Sequence, residues 1–221
     1  MSPSPTRSPR APLTRARVLE AALDLADRIG IEAFTIRKLA AELDVKPMAL
    51  YHHVANKEAI LDGIVDLVFE QIELPPDDLG WRAAVRVRCC SARTVLQRHP
   101  WAPPLMESRT SPGPATLHHH DAVLGCLRRG LPWDLVAHAY AVLDSFVYGF
   151  ALQEANLPFS GEDDVAEVTD LVIEPLSPDE YPNLVAFTAE HVLQPGYDFG
   201  RSFEFGLDLL LDGLAAAARS R

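Results

Sequence analysis

The chain has 221 residues, of which 48% are hydrophobic, and a formal net charge of −11 at pH 7. This length suits one domain of ordinary size plus a small one, and the apolar fraction excludes a wholly disordered protein. No apolar run reaches the ~18 residues that a membrane-spanning helix needs. Residues 1–12 contain Pro, Ser and Arg without an apolar segment, which predicts no secretory signal.

The charge is distributed unevenly. Residues 1–57 contain nine Lys and Arg against six Asp and Glu, a balance of +3, whereas residues 58–221 contain eleven against twenty-five, a balance of −14. This asymmetry would turn the basic end of the molecule toward a polyanion such as DNA. It implies few phosphate contacts per subunit, and therefore salt-dependent binding by two subunits together.

Residues 1–12 are rich in Pro and Ser and are predicted to form a disordered arm. Arg7 and Arg10 in this arm either reach a neighbouring DNA groove or stay in solvent. The first helix is expected over residues 14–29, with Thr14 as its cap and Gly30 at its C-terminal end.

Residues 35–57 are predicted to form two short helices joined by a tight turn. Thr35 suits the N-cap of the first helix, and Pro47 suits the first turn of the second. Leu50 and Val54 recur at helical spacing and face inward. The side chains left facing outward are Lys46, Met48, Tyr51, His52 and His53.

This outward face has no acidic residue between Lys46 and Lys57. A helix face that is merely solvated normally mixes both charge signs. Phosphates attract Lys and accept hydrogen bonds from Tyr and His. The pattern therefore favours a helix-turn-helix whose second helix enters a DNA major groove, over a helix pair that only packs within a bundle.

The rest of the chain is also predicted to be helical. A fourth helix from Asn56 to about Ile72 connects to a second domain across the Pro- and Asp-containing residues 74–80. No segment shows the alternation of strands, so the fold class is all-α. Further helices are expected over residues 81–99, 101–108 (a short helix or turn), 115–129, 133–156, 184–192 and 197–218, with partial helix over 163–173.

Residues 14–73 resemble the DNA-binding domain of the tetracycline-repressor (TetR) family of bacterial transcription regulators. The resemblance lies in the motifs Thr35–Ala40 (T-x-R-x-L-A), Leu43–Val45 (L-x-V) and Leu50–Lys57 (L-Y-x-H-V-x-N-K). The second domain is most similar to the tetracycline-repressor type, through Phe146–Gly149 and Phe205–Leu209. The resemblance implies a three-helix helix-turn-helix domain over residues 13–73 and a helical ligand-binding and dimerisation bundle over 81–218.

The implied function is that of a homodimeric repressor that binds a palindromic operator and is released by a small organic inducer. Helices 133–156 and 200–218 carry more apolar surface than one small bundle hides, and their small residues would let a second copy approach closely. Those small residues are Gly149, Ala151, Gly206 and Gly213. The alternative is a helical small-molecule-binding or catalytic bundle that has lost DNA binding.

Arg37 is the expected base reader, because its guanidinium can grip a guanine with two hydrogen bonds. Phosphate contacts are predicted for Thr35, Tyr51, His53 and Lys57. The leading end of the recognition helix carries Lys46, Pro47, Met48, Ala49 and His52.

A candidate inducer pocket follows from the resemblance. Alignment with the tetracycline repressor places Met106, Arg109 and Gln153 where that family member holds a drug–magnesium chelate. Met and Arg are poor Mg²⁺ ligands, so tetracycline is not the expected inducer. The candidate pocket residues are Arg88, Met106, Arg109, Phe146, Phe150 and Gln153. They would suit a planar or acidic organic molecule, or else they are ordinary core and salt-bridge residues.

No catalytic, metal or cofactor site is predicted. Consecutive helical residues point about 100° apart, so His118, His119 and His120 cannot converge on one ion and are interpreted as a solvated face. Cys89 and Cys90 have no oriented base to activate them. With Cys126 they make an odd number of cysteines, which fits a reducing cytoplasm better than a disulfide framework.

Overall fold

The computed structural model describes residues 12–157 and 177–220, and every regular element in those ranges is helical. This confirms the all-α prediction. The N-terminal helices are α1 Arg15–Ile29, α2 Ile36–Glu42, α3 Pro47–Leu50 and α4 Lys57–Gln71. The remaining helices are α5 Trp81–Arg98, α6 Ala102–Ser108, α7 Pro114–Arg128, α8 Trp133–Ala155, α9 Pro182–Phe187 and α10 Arg201–Arg219.

The described residues fall into two compact units. The N-terminal unit holds the residues up to Ile72 together with Pro104–His120, and the C-terminal unit holds Glu73–Pro103 and the residues from Asp121 onward. The domain limits 13–73 and 81–218 stay a prediction. The compact grouping differs from them by placing Pro104–His120 with the helix-turn-helix.

Local capping explains where the first two helices begin and end. The hydroxyl oxygen of Thr14 accepts a hydrogen bond from the Arg17 N–H, and that of Thr35 accepts one from the Lys38 N–H, both at 3.2 Å. These bonds satisfy backbone donors that a helix N-terminus leaves without a partner. Gly30 ends α1 with φ 74°, a left-handed conformation that glycine adopts without steric cost.

The turn between α2 and α3 is a Schellman motif. The Val45 N–H donates to the Ala40 carbonyl at 2.9 Å, and the Asp44 N–H donates to the Ala41 carbonyl at 3.1 Å. Asp44 takes the left-handed position, with φ 51°, which Asp tolerates better than most residues. The motif directs the chain from α2 into α3 with few residues between them.

The core of the N-terminal unit is built around α1 and α4. Val18 and Ala22 of α1 are fully buried, as are Ile60 and Ile64 of α4. The two helices cross closely at Gly63, where a Cβ would lie 2.6 Å from Leu19 Cδ2. Asn56 caps α4 by accepting a hydrogen bond from the Ala59 N–H at 2.8 Å. The connecting helix α4 is therefore capped at its start and packed against α1.

The C-terminal unit is built on α5, α8 and α10. By length and composition alone, α8 is apolar enough to cross a membrane, but half of its most apolar window is buried within the protein. Arg93 on α5 pairs with Glu154 on α8 at 2.5 Å, and Arg82 pairs with Asp212 on α10 at 2.5 Å. We interpret α8 as a core helix of this unit.

Two boundaries differ from the predicted ones. The last helix begins at Arg201 rather than near Tyr197, because the Gly200 N–H is bonded to the Asp198 carboxylate at 2.7 Å in a turn before the helix. The predicted helix over 184–192 is instead α9 followed by a π-helical turn, Thr188–Val192. The partial helix predicted over 163–173 lies outside the described residues.

Candidate nucleic-acid interface

The recognition helix presents its predicted outward face to solvent. Met48 is 71% exposed and Tyr51 is 43% exposed, and Lys46, Pro47 and His52 are exposed as well. Leu50 and Val54 are buried, as their spacing predicted. Ala49 and His53 are half-buried at the margins of this face. The helix has only four residues, so its orientation depends on these two buried anchors and on the turn before it.

Arg37 and Thr35 lie at the start of α2 and are both exposed. Within the described residues the Arg37 guanidinium makes no hydrogen bond or ion pair, so its five donors remain available to a ligand. The Thr35 oxygen accepts the cap hydrogen bond, but its hydroxyl proton is still able to reach a phosphate. Base reading by Arg37 and phosphate contact by Thr35 stay predictions.

Lys57 is exposed, but its ammonium group is not free. Its Nζ donates to the Phe34 carbonyl at 3.3 Å and lies 5.9 Å from the centre of the Phe34 ring. Phe34 is only 1% exposed, so this contact ties the first residue of α4 to the core beneath the helix-turn-helix. The ammonium keeps further donors for a phosphate, and that contact stays a prediction.

The acidic side chains of this unit are partly neutralised by cations. Glu42 at the end of α2 pairs with Arg28 of α1 at 2.6 Å, and both side chains are exposed. In an exposed pair of this kind the stabilisation is small, but the pairing cancels a negative charge near the basic face. Lys38 donates to the Ala33 carbonyl at 2.9 Å. The surface from Arg37 to Lys57 is thereby left with a positive balance.

The candidate inducer-pocket residues are divided between the two compact units. Met106 and Arg109 belong to the N-terminal unit, where Arg109 pairs with Glu58 at 2.6 Å and with Asp62 at 3.0 Å. The other four belong to the C-terminal unit: Arg88, Phe146, Phe150 and Gln153. The role of all six in ligand binding stays a prediction.

Arg88 is 1% exposed and forms an ion pair with Asp144 of α8 at 2.8 Å. Burial is the largest single influence and lowers the pKa of the Arg88 guanidinium, but Asp144, Tyr148 and Cys89 together outweigh it and raise this pKa above its ordinary value. Burial also raises the pKa of Tyr140, and Asp144 raises it further. The sequence did not reveal this cluster, although Tyr140, Asp144 and Tyr148 recur every four residues in a largely apolar helix.

Phe146 and Phe150 belong to an aromatic cluster between α8 and the start of α10. The Phe146 ring stacks on Phe203 at 5.3 Å, and the Phe150 ring stacks on Phe199 at 4.8 Å. The Arg93 guanidinium lies over the rings of Phe150 and Phe203. Phe150 and Phe203 are buried, at 8% and 1% exposure, so these ring faces pack within the C-terminal unit. Gln153 is exposed.

The predicted solvated face at residues 118–120 is wrong for His119. This side chain is 1% exposed, and its ring lies 5.1 Å from that of Phe69 on α4. His120 also contacts Phe69, at 5.3 Å between ring centres. Periodicity could not reveal this, because the partner lies far away in sequence. Across the described ranges, no group of three His, Cys, Asp or Glu side chains is arranged to hold a metal ion.

The cysteines lack the features of a nucleophile. Burial raises the pKa of the Cys89 and Cys90 thiols above their ordinary value. A thiol with a raised pKa carries less of the reactive thiolate at neutral pH. The neighbouring arginines oppose this shift without overcoming it.

Two family models match the chain. Residues 18–64 match the model described as bacterial regulatory proteins, tetR family, and residues 74–218 match the tetracyclin repressor-like C-terminal domain. Together they span the helix-turn-helix and the helical bundle. The chain belongs to the TetR family. The C-terminal match confirms the predicted resemblance to the tetracycline-repressor type.

Relatives of this TetR-family chain include repressors and structures with bound ligands. The transcriptional repressor DrrR1 of Streptomyces coeruleorubidus is 34% identical over 98% of this chain and 83% of its own length. ActR of Streptomyces coelicolor in complex with actinorhodin is 30% identical, with a TM-score of 0.74 over 94% of this chain and 99% of its own. BioQ with its double-stranded DNA operator is 26% identical, with a TM-score of 0.66 over 93% of this chain and 99% of its own.

Membership in the TetR family makes this protein a DNA-binding transcription regulator of the ligand-responsive kind. The alternative prediction, a bundle that has lost DNA binding, is not favoured. The exposed face of the recognition helix agrees with this, because its side chains are not used in packing.

Proposed function

We propose that this protein is a cytoplasmic, homodimeric repressor that binds a palindromic DNA operator and leaves it when a small organic inducer binds to the helical bundle. The observation that carries the proposal is the exposed, acid-free surface from Lys46 to Lys57, with the unpaired guanidinium of Arg37 among the described residues beside it. A surface of this composition binds phosphates and reads base edges.

Unpartnered apolar residues on α8 and α10 support the dimer. Phe205 and Leu209 on α10 are 69% and 58% exposed, and Val142 and Leu152 on α8 are each 43% exposed. Phe205 and Leu209 recur at helical spacing and form a stripe that a second copy would cover. Val142 and Leu152 are ten positions apart, so they add exposed apolar surface on two neighbouring sides of α8. A two-fold axis through such an interface sets two recognition helices about one DNA turn apart.

The small residues predicted to line this interface differ in their surroundings. A Cβ at Gly149 or Gly213 would meet nothing within 4 Å, so both positions are open to an approaching helix. A Cβ at Gly206 would lie 2.8 Å from the Phe146 ring, and Ala151 is 5% exposed. Gly206 and Ala151 therefore serve packing within the protomer, and the proposed interface rests on Gly149 and Gly213.

The inducer is proposed to be a planar organic molecule. ActR, which shares the fold over nearly its whole length, has been solved with actinorhodin bound. In this chain the half-buried Phe146 ring, which already stacks on Phe203, is the aromatic surface proposed to receive it. The inducer would act by favouring an arrangement of the protein in which the two recognition helices no longer match the operator spacing.

Selection of bound duplexes from a random pool tests this proposal. The purified protein is incubated with the pool at low ionic strength, and the retained sequences are determined. We expect enrichment of an inverted repeat with half-sites about one helical turn apart. Retention of no duplex would overturn the proposal, and enrichment of a single half-site would overturn its homodimeric part.

A further inference from the structure

The start of α7 lacks a capping side chain of its own. Its N-cap position is Gly113, whose carbonyl accepts the first helical hydrogen bond from the Leu117 N–H at 3.0 Å. A side-chain oxygen at this position normally satisfies the N–H of the second or third helical residue. Glycine offers none, so the donor on Thr116, the third residue of α7, needs another acceptor.

Asp66 of α4 supplies that acceptor. Its Oδ1 accepts hydrogen bonds from the Thr116 N–H at 2.8 Å and from the Thr116 hydroxyl at 2.9 Å. A negative charge at this end of a helix is also favoured by the helix dipole. Thr116 is 6% exposed, so water competes little for these bonds. Asp66 thus caps α7 from another helix, by accepting the hydrogen bond that an N-cap side chain normally accepts.

Gly113 is needed for this arrangement. A Cβ built at Gly113 would collide with the carboxylate of Asp66. Because Gly113 has no side chain, the N-cap position leaves room for the Asp66 carboxylate of α4. A serine here, which ordinarily improves a helix cap, would displace Asp66 and substitute its own hydroxyl.

The same face of α4 holds this segment at a second point. Glu58, Asp62 and Asp66 lie four residues apart and share one side of the helix. Arg109, which follows the end of α6, pairs with the first two of them at 2.6 Å and 3.0 Å. The loop that joins α6 to α7 is therefore bonded to α4 at both of its ends, through Arg109 and through Thr116.

We propose that Asp66 is a positioning residue that couples α4, and through it the recognition helix, to α7. Since α7 continues beyond His120 to Arg128 among residues of the C-terminal unit, a change in the ligand-binding domain reaches α4 through this shared cap. The proposal rests on the proposed function, because it assumes operator binding. It adds which side chains carry the coupling.

Hydrogen exchange of residues 114–120, measured with and without the selected operator duplex, tests the coupling. Coupling between two sites is reciprocal, so saturating the wild-type protein with operator should change the exchange of this peptide. In Asp66→Ala we expect roughly fivefold faster exchange without DNA, as for the loss of one helix cap. The operator-dependent change should disappear in this variant.

A second variant separates coupling from capping. In Asp66→Ala/Gly113→Ser the serine hydroxyl caps α7 locally but no longer links it to α4. We expect slow exchange like the wild type, yet no response to operator. Asp66→Asn keeps an acceptor oxygen and should keep most of the response. Glu70→Ala is the matched control, since Glu70 is exposed one turn further along α4 and makes no ion pair with any described residue.

Three results would overturn the proposal. They are an unchanged operator response in Asp66→Ala, restoration of that response in the double variant, and the lack of any response in the wild-type protein at saturating operator. If Asp66→Ala does not fold, Gly113→Ser is used alone. Its serine would displace Asp66 and cap α7 locally, so the same loss of the operator response is expected. If the wild-type protein binds no operator, the proposed function fails instead. Unchanged exchange without DNA in Asp66→Ala would then still overturn the cap.

Discussion

Individual side chains of the helix-turn-helix divide into those that pack and those that stay available for DNA. Lys57 matches a family motif position, yet its ammonium is bonded to the Phe34 carbonyl. Arg37 has the same charge but, among the described residues, no partner. Such differences between cations cannot be seen from residue type. They leave the Arg37 guanidinium available for DNA, and its role as a base reader stays a prediction.

Replacing Arg37 by Ala tests its role as a base reader. A guanidinium bonded to guanine by two hydrogen bonds discriminates against other bases by roughly 1–3 kcal/mol. We expect Arg37→Ala to weaken binding to the selected operator by about that amount and to relax the preference at one base pair. Fluorescence anisotropy with operator and random duplexes measures both effects.

Lys38→Ala is the matched control for this experiment. Lys38 is adjacent and exposed, and the substitution removes the same charge. Loss of a charge that contacts only phosphates should weaken binding to operator and random duplexes equally. If Arg37→Ala behaves in the same way as Lys38→Ala, Arg37 is a phosphate contact and not a base reader.

Among the secondary-structure elements, the crossing of α1 and α4 determines how the DNA-binding helices are supported. Gly63 permits the close approach, since a Cβ there would lie 2.6 Å and 2.7 Å from the two methyl carbons of Leu19. Leu19 is 4% exposed and has little room to move. A methyl group added at this crossing must push the helices apart or force Leu19 from its rotamer.

We therefore expect Gly63→Ala to lower the free energy of unfolding by about 1–3 kcal/mol, despite the better helix propensity of alanine. The same substitution at Gly125, an exposed position of α7 with nothing within 4 Å of a Cβ, should raise it by roughly 0.5–1 kcal/mol. Urea titration followed by circular dichroism measures both values. Stabilisation by Gly63→Ala would contradict the close crossing.

Most element positions were predictable from local sequence patterns. The bounds of α4, α5 and α8 agree with the prediction within a residue or two, because capping residues such as Asn56 and apolar periodicity act over a few positions. The start of α10 was misplaced, because the side chain of Asp198 bonds to the backbone and stops the helix there. Apolar periodicity does not show whether a side chain will bond to the backbone in this way.

In the whole molecule, charge and apolar surface are segregated along the chain. The basic balance lies in residues 1–57, and exposed apolar residues lie on α8 and α10. A dimer formed through these apolar residues would bind DNA with two basic surfaces, which would compensate for the few phosphate contacts of each. We therefore expect operator binding to depend on the proposed dimer as well as on the recognition helix.

Leu209→Asp tests that dependence. Leu209 is 58% exposed and lies next to Asp208, with Asp212 three residues further on, so a new carboxylate would add repulsion across a two-fold interface. We expect a monomer in analytical ultracentrifugation at micromolar concentration and loss of tight operator binding. Leu117→Asp, at a 56% exposed position of α7, should leave the dimer intact. A dimeric Leu209→Asp protein would exclude this interface.

The sequence by itself determined the all-α class, the helix-turn-helix and the family resemblance, because caps, turn residues and apolar periodicity are encoded within short segments. Only the tertiary structure decided that Arg88 is neutralised by Asp144, that His119 is buried against Phe69, and that Asp66 caps α7. Asp66 and Thr116 are 50 positions apart, so only packing brings them together. A single sequence carries no local signal for a partner at that separation.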